Sequence, residues 1–180
     1  DHLYFVSRVW PDKTWDEMAE QIAADKESKV TAHQWNALPY SHWDHWIDEE
    51  RQAHVFRLPA AGGEVEPITQ AMGRELPRSA QGLGSYDVHP DGTWIAFTSD
   101  SRDGADVDPD IDVFLGRIGS DAVENITAGN EAGDGSPMFG PDGRTLAYTR
   151  QAIPGFYADN VNLVLFDLDS RTRREITSGW

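Results

Sequence analysis

The chain has 180 residues, no cysteine, 15 Lys and Arg against 31 Asp and Glu, and a formal net charge of −16. That balance argues against a nucleic-acid partner, whose phosphates it would repel. The missing cysteine excludes disulfides and thiolate metal sites. No apolar run approaches the roughly 18 residues that a membrane-spanning helix needs. The simplest reading of the charge is a solvated acidic surface; the functional one is attraction for cationic peptides. Seven Trp and seven Phe suit an aromatic-rich β fold.

In chain order, Leu3-Tyr4-Phe5-Val6-Ser7 reads as a first strand. Thr14-Trp15-Asp16-Glu17 has the form of a capping box. Trp15, Met18, Ala19, Ile22 and Ala23 then fall on one helical face, which predicts an amphipathic helix ending near Lys26–Lys29 and packed on the outside of the domain. Next comes Trp35-Asn36-Ala37-Leu38-Pro39-Tyr40-Ser41-His42-Trp43-Asp44-His45-Trp46-Ile47-Asp48, too aromatic for a passive linker. It is either a structural plug or an aromatic and acidic wall that holds a peptide or its amino terminus. Trp43, Asp44 and Trp46 are its candidate substrate-facing or loop-anchoring residues. Trp43 and Trp46 are expected to be at least partly buried against neighbouring strands. Strands follow at His54–Leu58 and near Glu66–Thr69.

The second half contains a repeat that sets the architecture. Ser85-Tyr86-Asp87-Val88-His89-Pro90-Asp91-Gly92-Thr93-Trp94-Ile95-Ala96-Phe97-Thr98 returns 51 residues later as Ser136-Pro137-Met138-Phe139-Gly140-Pro141-Asp142-Gly143-Arg144-Thr145-Leu146-Ala147-Tyr148-Thr149. Pro-Asp-Gly is a turn signal: Pro presets φ, Asp bonds locally, and Gly accepts positive φ. Pro90, Asp91 and Gly92, and Pro141, Asp142 and Gly143, are therefore structural turn residues. Ile95 and Phe97 point one way and Trp94 and Ala96 the other, with Leu146 and Tyr148 repeating the first face.

The repeat extends further. At an offset of 50, Val113, Leu115 and Ile118 map onto Leu163, Leu165 and Leu168, and Glu124-Asn125-Ile126-Thr127 onto Arg174-Glu175-Ile176-Thr177. Upstream, His54–Leu58 and Glu66–Thr69 match the second unit at an offset of 58, while Leu3–Ser7 matches it at 92. The difference of 34 measures an insertion within the first unit. Four short strands in roughly 40–50 residues is one propeller blade.

The expected fold is thus all-β: a partial β-propeller of about three four-stranded blades over 1–180, with one helical insertion. Residues 1–70 form an incomplete blade with the insertion at about 8–52, 80–128 a second blade, and 131–177 a third. Three blades cannot close a ring, so the chain is expected to be a portion of a larger protein.

Candidate chemistry is sparse. His42 and His45 with Asp44, Asp48, Glu49 and Glu50 lack the spacing of a zinc-protease motif. Asp106, Asp108, Asp110 and Asp112 alternate, but an EF-hand loop would need Gly and Glu where Ile111 and Arg117 stand. No serine has glycine on both sides at the spacing of a nucleophile elbow. No catalytic residue, metal site or cofactor is expected from the residues themselves.

The Pro-Asp-Gly repeats followed by Trp-Ile-Ala-Phe-Thr-Ser and Thr-Leu-Ala-Tyr-Thr-Arg resemble TolB-type blades. Leu38-Pro39-Tyr40-Ser41-His42-Trp43-Asp44-His45-Trp46, leading into His54–Leu58, is similar to the Arg/Leu-x-x-x-His-Trp-Asp-x-Trp segment of amino-terminal propellers in prolyl-oligopeptidase-family (S9) serine peptidases. The acylaminoacyl-peptidase and dipeptidyl-peptidase branch is the nearest in pattern. The resemblance implies a larger propeller followed by an α/β-hydrolase domain with a Ser-Asp-His triad, the propeller gating and shaping the peptide site. The implied partners are a peptide substrate, met through the full-length enzyme, together with the missing blades and the hydrolase domain. It favours a periplasmic or secreted location over a cytoplasmic one. No triad residue has a counterpart here, nor do the paired glutamates with which dipeptidyl peptidases hold an amino terminus. The alternative is a TolB-like interaction module without peptidase activity.

Overall fold

The computed structural model describes residues 1–36, 40–42, 44–46, 50–78, 84–102 and 110–179, with the backbone alone at His42 and His45. Its elements are β1 (His2–Val9), α1 (Trp15–Glu27), β2 (Ser41–His42), β3 (His45–Trp46), β4 (Gln52–Pro59), β5 (Glu66–Pro67), β6 (Tyr86–Val88), β7 (Trp94–Asp100), β8 (Ile111–Arg117), β9 (Val123–Asn125), β10 (Asp134–Phe139), β11 (Thr145–Arg150), β12 (Asn162–Asp167) and β13 (Arg173–Glu175). They form three antiparallel blades. Blade 1 is β1-β4-β5, blade 2 is β6-β7-β8-β9, and blade 3 is β10-β11-β12-β13; β2 and β3 make a separate hairpin. Neighbouring strands are sequential neighbours throughout blades 2 and 3, the meander of a propeller blade. The molecule is an all-β partial propeller with one helical insertion.

The two Pro-Asp-Gly segments form the same turn. Gly92 and Gly143 have φ of +73° and +66°, a left-handed backbone that only glycine adopts without strain. Asp91 Oδ1 accepts from the Thr93 amide at 2.8 Å, and Asp142 Oδ1 from the Arg144 amide at 3.0 Å. A side chain then ties the turns together: His89 Nε2 lies 2.9 Å from the Gly143 carbonyl oxygen. Asp87 links the same two blades by accepting the Phe139 amide at 2.7 Å.

Strand alternation builds two cores between three blades. Ile95, Phe97 and Phe114 of blade 2 pack on Ala53, Val55, Ile68 and Leu76, which belong to blade 1 and the turn after it. Ala96, Val113, Leu115 and Ile126, on the opposite face of blade 2, pack on Phe139, Leu146, Tyr148, Val164 and Phe166 of blade 3. Each blade thus turns one face back and one face forward. Ile95, Ala96, Phe97, Val113 and Leu146 are wholly buried. A fully buried aliphatic or aromatic side chain contributes about 1.5–3 kcal/mol, so these two seams carry most of the stability.

Candidate functional site

The 10–51 insertion is the most individual part of the molecule. It leaves blade 1 between β1 and β4, the position from which 101–110 leaves blade 2 and 151–161 leaves blade 3. Its helix forms as the capping box dictates. The Thr14 amide donates to Glu17 Oε2 at 2.7 Å, and the Glu17 amide donates to Thr14 Oγ1 at 3.3 Å. The Thr14 amide and then its hydroxyl hold the Glu17 carboxyl below its usual range.

The helical face is narrower than its pattern predicts. Met18 is buried at 6% exposure, whereas Trp15 and Ile22 are 43% and 41% exposed. Met18 sits with Val9, Trp10 and Phe56, and the Trp15 ring meets Phe56 edge-on at 5.3 Å. The helix therefore lies against one broad side of blade 1. At its foot, Trp10 Nε1 donates to Glu50 Oε2 at 3.1 Å, and the Arg51 guanidinium lies 5.1 Å above the Trp10 ring. Trp10, Ile22, Asp25, Lys26, Glu50 and Arg51 line an open cleft of about 350 Å³. Two acids face two bases there, an arrangement that selects no one charge of ligand.

Beyond the helix, Trp35, Tyr40 and Trp46 form an aromatic cluster. Trp35 and Trp46 are 4.8 Å apart between ring centroids, Tyr40 and Trp46 6.2 Å, and Trp35 and Tyr40 6.1 Å. His33 stacks on Trp35 at 5.4 Å. Asp44 occupies the turn of the β2–β3 hairpin and is exposed.

Trp46 was expected to be at least partly buried against blade strands; the ring contacts described for it lie within the insertion. It is 57% exposed, and its ring contacts are with His33, Trp35 and Tyr40. An indole can satisfy its apolar faces by stacking on other rings, and this insertion carries enough of them to do so by itself. Trp43 lies outside the described residues. His33, Trp10 and Arg51 were not singled out from the sequence. Only the proximity of Trp10 to the capping box and of His33 to Trp35 hinted at their places.

Of the alternating aspartates, Asp110 and Asp112 are described. Asp112 accepts from Thr127 Oγ1 at 2.7 Å and Asn125 Nδ2 at 2.6 Å, while Asp110 Oδ2 accepts from Ser101 Oγ at 3.0 Å. The two carboxylates thus serve different structural bonds. Asp106 and Asp108 lie outside the described residues, as do Asp48 and Glu49. Among the described residues, no three His, Asp or Glu side chains converge as metal ligands, and no helix is long and apolar enough to cross a membrane.

Blades, meander and turn geometry define the class: a segment of a β-propeller whose first blade carries an aromatic insertion. No protein-family model matches the chain. It is similar to dipeptidyl-peptidase 5 of Porphyromonas gingivalis, 27% identical over 154 residues, which is 82% of this chain and 22% of that protein. Dipeptidyl-peptidase 5 of Porphyromonas endodontalis is 27% identical over 76% of this chain and 20% of its own length. That of Trichophyton schoenleinii is 25% identical over 88% and 24%. The chain thus spans less than a quarter of each of these relatives. Among solved structures, TolB from Acinetobacter baumannii superposes with a TM-score of 0.47 and 15% identity, over 69% of this chain and 26% of that one. The dipeptidyl-peptidase relatives support the resemblance seen in the sequence, to a propeller segment of a prolyl-oligopeptidase-family peptidase.

Proposed function

We propose that this chain is a non-catalytic propeller segment of a dipeptidyl-peptidase-type serine peptidase, and that its insertion helps to shape the way to the peptide site. The observation that carries the reading is the likeness to dipeptidyl-peptidases over 82% of the chain. The insertion adds a chemical reason. Tyr40 and Trp46 are 49% and 57% exposed, near Asp44 in the hairpin turn, on a chain of net charge −16. Exposed rings beside carboxylates suit apolar side chains and the ammonium of a peptide amino terminus. Asp44 and Trp46 are binding residues in this reading, and the nucleophile comes from elsewhere in the enzyme.

The test uses the full-length polypeptide that carries this segment, assayed on dipeptidyl chromogenic amides. Trp46→Ala and Asp44→Ala are expected to raise KM several-fold with kcat nearly unchanged, the signature of lost uniform binding. Unchanged KM in both variants would remove the insertion from the substrate path. A full-length polypeptide without hydrolytic activity would favour an interaction propeller instead.

A further inference from the structure

The connection between β11 and β12, residues 151–161, is built as a fixed arm. Its base is held by the link between blades 2 and 3. The Gln151 amide donates to the Gly133 carbonyl at 2.9 Å, and Asn130 Nδ2 donates to the Gln151 carbonyl at 2.9 Å. From there Gln151 Nε2 donates to the carbonyls of Tyr157 and Asp159 at 3.3 and 3.2 Å. Asp159 closes the loop from the other side. Its Oδ2 accepts the amides of Ala152 and Ile153 at 2.7 and 2.9 Å, and its Oδ1 accepts that of Asn160 at 2.8 Å. Pro154 and Gly155, the latter at φ +68°, fill a turn in which the Phe156 amide donates to the Ile153 carbonyl at 3.3 Å. A backbone bonded in this way is ordered before anything binds, which lowers the entropic cost of binding.

What the arm presents is apolar. Ile153 and Phe156 are half-exposed, and Tyr157 is 79% exposed. Residues 151–161 contain no Lys or Arg, and their one carboxylate, Asp159, is occupied by the three amides. A following blade covers strand faces, as blade 3 covers Val113 and Leu115. It does not bury the rings of this kind of connection: blade 1 is followed by blade 2, yet Tyr40 and Trp46 in its corresponding connection are about half-exposed.

We propose that residues 153–157 form a second contact for the peptide substrate, in which Phe156 and Tyr157 take apolar side chains downstream of those that meet the insertion. This rests on the peptidase reading above. The insertion and the arm leave blades 1 and 3 at corresponding ends, between the second and third strands. A peptide whose amino terminus lies at Asp44 and Trp46 meets the arm further along its length. Phe and Tyr rings offer large contact areas with few torsions to freeze. Without a basic residue, the arm gives an anionic lipid surface nothing to attract.

The test is steady-state kinetics of the full-length polypeptide that carries this segment, on a dipeptidyl chromogenic amide and on a hexapeptide with Phe at its fourth and fifth positions. Phe156→Ser combined with Tyr157→Ser is expected to raise KM for the hexapeptide at least fivefold, and to leave KM for the short amide, which does not reach the arm, within twofold. A hexapeptide with Ser at those two positions should lose the difference between parent and variant. An unchanged KM for the Phe hexapeptide, or an equal rise on both substrates, would overturn the proposal. So would a lowered melting temperature with no change in KM, which would make the arm a contact with the rest of the polypeptide. If the unaltered protein hydrolyses neither substrate, the peptidase reading fails, and fluorescence anisotropy of the labelled Phe hexapeptide on the same protein decides the arm separately. Binding weakened at least fivefold by the double variant supports it; binding that is absent or unchanged refutes it.

Discussion

Thr127 fastens blade 2 to itself through Asp112. Its hydroxyl donates to Asp112 Oδ1 at 2.7 Å and accepts from the Val113 amide at 2.9 Å, closing the fourth strand onto the start of the third. The device recurs in each blade. In blade 1 the Thr69 hydroxyl lies 3.1 Å from His54 Nδ1 and accepts the Val55 amide at 3.0 Å. In blade 3 the Thr177 hydroxyl accepts the Leu163 amide at 2.8 Å. The repeated Ile-Thr of the sequence is therefore a clamp: Ile enters the core and Thr ties the strands. Thr127→Val keeps the volume but leaves the buried Asp112 carboxylate and Val113 amide short of a partner. It is expected to cost about 1–3 kcal/mol, read from denaturant midpoints. The matching Thr177→Val, at an exposed clamp, should cost well under half as much.

The two Pro-Asp-Gly turns respond differently to the same substitution. At Gly92 a Cβ would meet only the Tyr4 hydroxyl at 3.8 Å, so Gly92→Ala carries the left-handed strain alone, about 1–2 kcal/mol. At Gly143 a Cβ would stand 2.6 Å from His89 Nε2. Gly143→Ala must also push the imidazole off the Gly143 carbonyl and is expected to be clearly more destabilising. Thermal denaturation of the two variants side by side checks the order.

Asp134 gives the blade 2–blade 3 seam a pH dependence. It is 3% exposed; burial, and then the nearby Asp112 carboxylate, push its carboxyl up to about 7, against opposing bonds from Asn130 and the charge of Arg150. Asp112 and Thr127 face it from blade 2, Arg150 and Tyr148 from β11, and Arg173 lies close to Tyr148. A raised carboxyl favours the folded state while protonated. Its contribution is full below the ordinary value of 3.8 and is lost as pH rises through about 7. Asp134→Asn should remove that loss and be more stable than the parent chain at pH 8 by about 1–3 kcal/mol, with the advantage shrinking toward pH 5. Melting curves of both proteins from pH 5 to 8 measure the difference, and parallel pH profiles would sink the assignment.

The isolated 180-residue chain is expected to hydrolyse no peptide, amide or ester, since no serine in it sits in a nucleophile elbow. Turnover of aminoacyl or dipeptidyl chromogenic substrates by a pure preparation, abolished by a serine-directed inhibitor, would contradict this.

Much of the blade architecture was legible because repeats and turns are written locally. Pro-Asp-Gly fixes backbone angles residue by residue, and the period of two fixes which side chains share a face. Strands near 94–98, 112–118 and 162–168 follow from those rules, as does the capped start of α1 at Thr14. The aromatic insertion was legible as a cluster but not in its placement. Trp46 could as well have anchored on a blade as on Trp35, since both offer an apolar surface to an indole.

By itself the sequence determined the repeating unit, the reversal at each Pro-Asp-Gly and the existence of the helix. All three rest on torsional preference, local hydrogen bonding and periodicity. Only the tertiary structure decided which surfaces meet. That Phe56 lies under Trp15 while its counterpart Phe114 lies under blade 1, that His89 reaches the turn at Gly143, and that Asp112 and Asp134 share one seam are matters of packing between elements far apart in the chain. Apolar burial is non-directional, so a sequence states that Phe56 must be covered without stating by what.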